Sequence, residues 1–427
     1  MIKIFRLVLS SAILLTGFSV SAQTTTSSPY SQFGLGDLKY PILPQQRAIG
    51  GLGAGIRQPG AYANINFVNP ASYSAIRITT FDIGGTIGLR QLSRNDISET
   101  GGNASFSHIG FAASTGRKSA IVAGLVPYSE LGYSYRVPGT IDTNNVSYVY
   151  SGDGGLSKAL IGYGFQIGKH LSVGANLGYV FGKLGQFRTA EFEDFSALNT
   201  RLERNSSISG FTYDYGVQFT SALSGKTRLT LGYSGNSGSK INSVSSNLST
   251  TWRYTAINQE SGPLDTLSYS ENERIKVDMP LTHTVGFVLE NTNHWLVGAD
   301  VNLGEWSSFA SGNTNGGLND SFGVGVGGQF TPDPTAVNYF KVVDYRLGIR
   351  YDKTPVRVAN TDITQTALTL GFGFPLPANR TSFYKINFST ELGQRGTLDN
   401  NLIRERFVNF HIGFTLNDQR VLRAKYD

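Results

Sequence analysis

The 427-residue sequence contains no cysteine and few charged side chains. Without cysteine, the protein has no disulfide bonds and no thiol chemistry. Charged residues make up 15% of the chain, compared with about 25% in ordinary globular domains. The formal net charge is +6, but lysine and arginine form no cluster of the kind that binds nucleic acid. We therefore expect no nucleic-acid partner.

Long apolar runs are also missing. After residue 22, no stretch approaches the roughly 20 apolar residues that a membrane-spanning helix requires. Before it, Lys3 and Arg6 precede an apolar run that ends in small residues at Ala22. This pattern predicts a secretory signal peptide over residues 1–22, because the run is too short for the alternative, a membrane-spanning helix. The missing cysteine also excludes a lipoprotein anchor after the cleavage site.

Glycine (51 residues) and aromatic residues (12%) are abundant, and they lie in segments where every second residue is apolar. In the last such segment, Val408, Phe410, Ile412, Phe414 and Leu416 alternate with Asn409, His411, Gly413 and Thr415. This period of two predicts β-strands with one apolar face. About fourteen such segments begin near residues 78, 104, 119, 157, 170, 208, 226, 281, 294, 320, 342, 364, 382 and 406.

Alternately short and long connections join these segments, as is typical of single-chain outer-membrane barrels. The long ones are predicted as polar loops over residues 91–103, 136–155, 185–206, 235–280, 304–319, 352–362 and 393–405. We predict an all-β fold: an antiparallel transmembrane β-barrel of about 14 strands over residues 77–418, in the outer membrane of a Gram-negative bacterium. The alternative, a soluble β-sandwich, would carry Lys, Glu and Thr on its outward face, whereas the less apolar face here is mostly Gly, Ser and Asn. The short connections and the basic tail, residues 419–427, would face the periplasm.

Residues 23–76 contain prolines and glycines but show no alternation. We predict that they form an N-terminal hatch that plugs the barrel lumen, because irregular backbone at membrane depth is tolerated only where protein surrounds it. The alternative is a disordered periplasmic leader. Tyr62, Ile65 and Phe67 fit that alternative poorly, since they are the kind of side chains that a folded segment buries.

Several charged residues fall on the inward-facing side of the predicted strands. They are Asp82, Arg90, Asp214, Asp300, Asp344, Arg346, Arg350, Lys385 and Glu391. Because buried charges must be paired, we interpret them first as a network that holds the hatch to the barrel wall. The alternative is that they contact the head group of a ligand, since an arginine fork binds a carboxylate with two hydrogen bonds.

Sequence motifs of catalysis are absent. The sequence GGLGAG at residues 50–55 lacks the spacing of a nucleotide-binding loop, and the five histidines are dispersed without a metal-binding spacing. No Gly-x-Ser-x-Gly nucleophile motif occurs. We therefore expect no catalytic residue, no metal and no cofactor, and we expect that the protein is not an enzyme.

Two motifs resemble those of the FadL-type outer-membrane transporters of long-chain fatty acids and other hydrophobic compounds. The first comprises the glycines Gly50, Gly51 and Gly53, followed by Asn69, Pro70 and Ala71, which match the hatch motif of that family. The second is GLVPYSELGYSY on the third predicted strand, with Pro127 and Tyr128 in place. Ser129 and Glu130 depart from the Gly and Leu that are usual there. The segment PYSQFGLGD and the basic AKYD end are similar to the Bacteroidota branch.

The resemblance implies passive transport of fatty-acid-like molecules, with movement of the hatch and lateral exit near Pro127. Because proline donates no ladder hydrogen bond, the third strand would kink there and open the wall; a harmless bulge near the rim is the alternative. The Bacteroidota branch also includes FadL-like barrels that are subunits of protein-secretion or assembly complexes, which is the alternative function. The expected partners are outer-membrane lipid, a hydrophobic ligand and, for the alternative function, other envelope proteins.

Overall fold

The computed structural model of the chain describes residues 28–419, except for residues 59–61, 195, 256, 258, 313 and 379. The predicted signal peptide, the first residues of the predicted hatch and the predicted tail beyond residue 419 lie outside the described residues. None of the helices among the described residues is both long enough and apolar enough to cross a membrane.

The described residues are mostly β-strand. In chain order, the strands are β1 (Asp37–Leu38), β2 (Thr79–Arg94), β3 (Ile97–Gly116), β4 (Ser119–Ile141), β5 (Asn144–Ile167), β6 (Leu171–Phe192), β7 (Asn199–Ser224), β8 (Thr227–Ser237), β9 (Lys240–Trp252), β10 (Asp265–Asp278), β11 (Thr282–Asn291), β12 (Trp295–Gly304), β13 (Ala310–Ser311), β14 (Thr314–Asn315), β15 (Ser321–Phe330), β16 (Asp344–Val358), β17 (Thr361–Leu376), β18 (Ser382–Arg395) and β19 (Arg404–Asp418). Short helical segments lie at Pro29–Gln32, Pro44–Arg47, Pro70–Ala75, Trp306–Ser308, Tyr339–Val342 and Asp399–Asn401.

Fourteen of the strands in this part of the chain form one closed antiparallel barrel. They are β2 to β8, β11, β12 and β15 to β19, and each pairs with the next member of this series. The barrel closes where its last strand, β19, pairs with its first, β2, from Arg404 opposite Ser93 to Asp418 opposite Thr79. The predicted all-β, fourteen-stranded antiparallel barrel is confirmed.

At the end of the barrel that carries the long connections, the strands extend further than the alternation indicates. Residues 91–103, 136–155 and 185–206, predicted as loops, are largely strand, and residues 235–280 contain β9 and β10. Strand β9 pairs with both β10 and the outer part of β7. Apolar alternation marks only where one face meets apolar surroundings. Ladder hydrogen bonds join backbone groups and continue where both faces are polar, so the sequence pattern placed these strand ends too early.

Side chains alternate between the outside and the inside of the barrel as predicted. On β19, Ile412 is 49% exposed on the outward face, whereas its neighbour His411 is only 2% exposed. Exposed apolar side chains form a band around the outside, with Ile87, Phe211, Leu231, Val285, Leu347 and Leu370 among them. Glycine and polar residues dominate the inward face.

The apolar core lies inside the barrel, between the wall and the N-terminal residues. One cluster joins Leu43, Ile65, Phe67, Tyr73 and Ile76 of the N-terminal part to Ala112, Ala120, Val122, Val126 and Leu160 of β3, β4 and β5. A second cluster joins Leu35 to apolar residues of the strands and outer hairpins, among them Leu156, Ile208, Ile241 and Trp306.

Candidate functional site

The described residues 28–76, which we call the inner segment, contact inward-facing residues of strands around the whole barrel. Leu43, Leu52 and Tyr73 of this segment are fully buried. Its helical segment Pro70–Ala75 packs against β4, β5, β6 and β7. The interior of the barrel and the inner segment together form the candidate site.

The Asn69-Pro70-Ala71 motif lies at the contact with β7 and β8. Asn69 Oδ1 accepts a hydrogen bond of 3.0 Å from the Ala71 amide and caps the helical segment that Pro70 begins. Asn69 Nδ2 is 2.8 Å from the Ala54 carbonyl oxygen and 3.3 Å from each of two wall carbonyl oxygens, those of Val217 and Tyr233. The motif thus joins two parts of the inner segment to the wall.

The wall leaves room for this motif at glycine positions. A β-carbon at Gly174 of β6 would overlap the Pro70 backbone, and one at Gly216 of β7 would overlap Asn69 Oδ1. These close approaches explain why small residues occur on the inward faces of β6 and β7 at the depth of the motif.

Gly50, Gly51 and Gly53 form the turn that contacts β12 and β17. Gly50 has a φ of +74° and Gly51 a φ of +81°, which glycine adopts without strain. The Gly50 amide donates to Thr369 Oγ1 at 3.0 Å. The amides of Gly53 and Ala54 both donate to Asp300 Oδ2, at 2.6 Å and 2.8 Å. A buried carboxylate of the wall therefore binds the backbone of the turn.

Most of the charges predicted to face inward form ion pairs within the wall. Asp344 Oδ2 lies 2.8 Å from both Arg346 Nη2 and Lys385 Nζ. Arg350 Nε is 2.6 Å from Asp352 Oδ2. Three wall cations also lie over tyrosine rings of the inner segment: Arg350 over Tyr40 at 4.9 Å, Lys385 over Tyr62 at 4.5 Å and Arg395 over Tyr30 at 5.6 Å.

Other wall charges contact polar side chains of the inner segment. Glu391 lies 3.6 Å from Arg47 Nη1 and 3.2 Å from His411 Nε2. Asp82 lies 2.7 Å from His108 Nε2 and also accepts from Gln45 Nε2 at 3.5 Å and Thr415 Oγ1 at 2.8 Å. Arg90 Nη1 is 3.3 Å from Glu405. With Asp300 on the glycine turn and Asp214 paired with Lys158, the structure brings all nine of the singled-out charges into ion pairs or hydrogen bonds.

A further ion cluster, which the sequence did not indicate, surrounds Asp37. Asp37 lies 2.8 Å from Arg395 Nη1 and 3.1 Å from Lys39 Nζ, which is also 3.2 Å from Glu130. Burial alone would raise the pKa of the Asp37 carboxyl, but the charges of Lys39 and Arg395 outweigh burial and hold this pKa well below its usual range. Glu130, where the FadL-type pattern has Leu, is thus a partner for a lysine of the inner segment.

The ladder between β3 and β4 ends partway along the wall. It runs from Gly116 opposite Ser119 to Ile109 opposite Leu125, and β3 then continues to Ile97 paired with β2. Strand β4 stays paired with β5 to its end, with a bulge between Pro127 and Ser129. We call the place where β3 and β4 separate the seam; Pro127 lies two residues beyond the last pair.

The inner segment takes the place of β3 along the next residues of β4. The Lys39 amide donates to the Tyr128 carbonyl oxygen at 2.9 Å, and the Ser28 amide donates to the Gly132 carbonyl oxygen at 3.1 Å. Strand β1 of the inner segment pairs with Ser129 and Glu130. Between Tyr128 and Gly132, β4 is therefore hydrogen-bonded from the interior instead of from β3.

Three small cavities lie around Lys39 and Tyr40, which line all of them. The cavity at the seam measures about 80 Å³, and its lining is mostly polar, with Arg90, His108, Glu130, Glu391 and His411. A second cavity of about 150 Å³ is more apolar and includes Leu38, Phe67, Tyr128, Leu303 and Trp306. The third, about 140 Å³, is lined by Asp37, Arg47, Arg350, Glu391 and Arg395.

Sequence reasoning missed the residues of the inner segment that contact the wall. Asp37, Lys39 and Arg47 lie where the strand and helix are too short for a period to indicate which side chains point towards a neighbour. It also missed Lys158, which lies 2.7 Å from Asp214, one of the charges predicted to face inward. Both of these residues face inward on their strands, so the alternation could have found this pair.

Solved structures with a similar fold include three bacterial barrels. The P. putida toluene transporter TodX has a TM-score of 0.58 and 16% identity, over 90% of this chain and 99% of that chain. The Ralstonia pickettii toluene transporter TbuX has a TM-score of 0.57 and 16% identity, over 88% and 98%. A Pseudomonas aeruginosa FadL homologue has a TM-score of 0.53 and 10% identity, over 90% and 99%. At these identities the similarity shows the fold alone.

At the level of sequence, no curated protein matches the chain. One family model, described as BamG, matches residues 1–427.

Proposed function

The chain belongs to the BamG family, and on that premise we propose that it is a Gram-negative outer-membrane β-barrel that acts as a structural subunit of a protein assembly or secretion complex. The band of outward apolar side chains is the face that lipid hydrocarbon would contact. Of the two functions raised by the sequence, the family's name points towards the complex. The proposal assigns no catalytic step to the barrel.

The observation that carries this proposal is the set of separate wall contacts that hold the inner segment. They include Asp300 with the amides of Gly53 and Ala54, Glu391 with Arg47, and Arg395 with Asp37. Removing one partner of a buried ion pair costs about 3–5 kcal/mol, and displacing the segment would break several such contacts together. A segment bound in this way suits a fixed scaffold better than a plug that moves whenever a molecule passes.

The polar lining of the seam also supports a scaffold. Arg90, Glu130 and Glu391 line the cavity behind the opening between β3 and β4. A hydrophobic molecule leaving through the seam would have to displace water from these charged groups, which is unfavourable without new partners for them.

The test is purification of the tagged full-length protein from its own outer membrane in a mild detergent. A subunit co-purifies with other envelope proteins at fixed whole-number ratios, and the ratios persist when the detergent is exchanged. Another tagged outer-membrane barrel of similar abundance, purified in parallel, serves as the control for incidental co-purification. A chain that elutes alone under every mild condition would refute the proposal.

A second candidate function, passage of hydrophobic small molecules, is favoured by the more apolar cavity next to the seam. Leu38, Phe67 and Tyr128 line it, and Pro127 borders both this cavity and the one at the seam. Two proteins of similar fold are described as toluene transporters. Proteoliposomes that take up a labelled long-chain fatty acid or toluene faster than protein-free vesicles would support this function; equal rates would exclude it.

A further inference from the structure

The connection between β15 and β16, residues 331–343, differs from the others at its end of the barrel. The connections β3–β4 and β7–β8 at the same end contain only residues 117–118 and 225–226. The longer connection carries three exposed apolar side chains: Val337 is 104% exposed, Phe340 71% and Tyr339 45%. We call these three residues the turn patch.

Hydrogen bonds hold the backbone of this connection in one conformation. Asp333 Oδ1 accepts from the Thr335 amide at 2.9 Å and from Thr335 Oγ1 at 2.7 Å. The Asp333 amide donates to the Lys341 carbonyl oxygen at 2.9 Å. Asn338 Oδ1 accepts from the Phe340 amide at 3.1 Å and caps the helical turn. Because the turn is ordered without packing its apolar side chains, it presents them in a preformed arrangement.

The turn patch adjoins the outward apolar band of the barrel through Tyr345. Tyr345 Oη donates to the Phe340 carbonyl oxygen at 3.0 Å. Tyr345 shares the outward face of β16 with Leu347 and Ile349, and its ring contacts Phe372 edge to face at 5.8 Å. Phe330, the residue opposite Tyr345 in the ladder, is exposed as well. Apolar surface therefore continues from the band onto the turn.

We propose that the turn patch inserts into the phospholipid headgroup layer of the periplasmic leaflet and anchors this end of the barrel at the membrane surface. Tyr339 has an apolar ring with a polar hydroxyl, which is favoured at that depth, and Val337 and Phe340 add apolar surface. Lys341, exposed beside the patch, supplies an ammonium group that can reach a lipid phosphate. The inference rests on the membrane placement in the proposed function, but not on the complex.

Two features of this surface favour lipid over a protein partner as the occupant of the turn patch. The patch is continuous with the band that the membrane placement assigns to hydrocarbon, so it lies at the level where the bilayer ends. Lys341 beside it is a cation on a flexible stem, and lysine stems extend along apolar surface while the ammonium reaches the headgroups. A protein occupant is one of the outcomes of the test.

Because the natural sequence contains no cysteine, one introduced cysteine is the single site at which a spin label attaches. A spin label is attached at Phe340→Cys in the full-length protein, which is then reconstituted in phosphatidylethanolamine–phosphatidylglycerol vesicles. Accessibility to oxygen and to a water-soluble nickel chelate reports the depth of the label. Ile349→Cys, on the outward face of β16, provides the hydrocarbon reference, and Arg117→Cys, on the short β3–β4 turn, provides the aqueous reference.

The anchor predicts that the label at position 340 collides at least about threefold less with the nickel chelate than the label at position 117. Equal chelate accessibility at positions 340 and 117, with position 349 protected, overturns the anchor and leaves the membrane placement intact. Protection at position 340 that arises only in the complex isolated from cells overturns it in favour of a protein occupant. Chelate accessibility at position 349 would instead mean that the membrane placement itself is wrong.

Discussion

Ile109 and Leu125 form the last pair of the ladder between β3 and β4. Two residues further along β4 comes Pro127, where a bulge begins, and Tyr128 is then bonded to Lys39 of the inner segment. The strand leaves its neighbour just before the residue that cannot donate a ladder hydrogen bond, and it then gains partners from inside the barrel. The end of the β3–β4 ladder and the placement of the inner segment are thus parts of one arrangement.

Deletion of residues 28–76 is expected to open the barrel. The wall closes on itself through β19 and β2 without the inner segment, so the shortened protein should still form a barrel with a water-filled lumen. Planar bilayers should show large, steady conductance steps with the deletion variant and only rare, small events with the full-length protein. A deletion variant that forms barrels but conducts no better than the full chain would show that the inner segment is not what closes the lumen.

Asp300→Ala should destabilise the inner segment. The substitution removes the acceptor for the Gly53 and Ala54 amides, and each buried amide left without a partner costs about 1–3 kcal/mol. The midpoint of guanidinium-induced unfolding in detergent should fall accordingly, and conductance should become intermittent as the turn detaches. Asp142→Asn, at an exposed hairpin tip, is the matched control and should change stability by less than about 0.5 kcal/mol. Equal midpoints for Asp300→Ala and the control would contradict the role given to this carboxylate.

Glu130→Leu tests whether the charged seam keeps hydrophobic molecules out. Lys39 retains Asp37 as a partner, so the variant should fold, with a loss of about 1.5–3 kcal/mol for the missing charged contact. Proteoliposomes containing the wild type should take up labelled fatty acid at the rate of empty vesicles, and the variant should take it up faster. Glu271→Gln on exposed β10 is the control and should behave as the wild type. Wild-type uptake that already equals that of the variant would favour the transport function.

Asp37 makes stability depend on pH in the acid range. Its pKa is lowered in the folded protein by Lys39 and Arg395, so the folded state binds the proton less tightly than the unfolded state, whose pKa is about 3.9. The stabilisation is therefore complete above that value and decreases as the pH falls below it. Asp37→Asn should lower the thermal unfolding midpoint at pH 7 and reduce the difference between pH 7 and pH 2.5. A variant with the same acid sensitivity as the wild type would refute this assignment.

The alternation of apolar residues was sufficient to predict the barrel. It gave the number of strands and located many of their first residues closely, because lipid-facing and inward positions differ at every second residue, as at Ile412 and His411. It also placed charges such as Asp344 and Lys385 on the inner face, where they form an ion pair.

The contacts of the inner segment could not be predicted in the same way. Asp37 and Lys39 lie in chain without a period, and their partners Glu130 and Arg395 are distant in sequence. Pro127 was recognisable as a break in the ladder, but which neighbour β4 would leave and what would replace it depend on packing inside the barrel. Ladder hydrogen bonds join backbone groups and impose little pattern on the side chains. The sequence therefore did not indicate how far the outer hairpins extend.

Native mass spectrometry of the tagged full-length protein, released from its own membranes into mild detergent, tests the subunit function most directly. The account predicts that most of the protein has the mass of one discrete assembly containing this chain and other envelope proteins in whole-number ratios. A population that consists only of the single chain, with or without bound lipid, would contradict it.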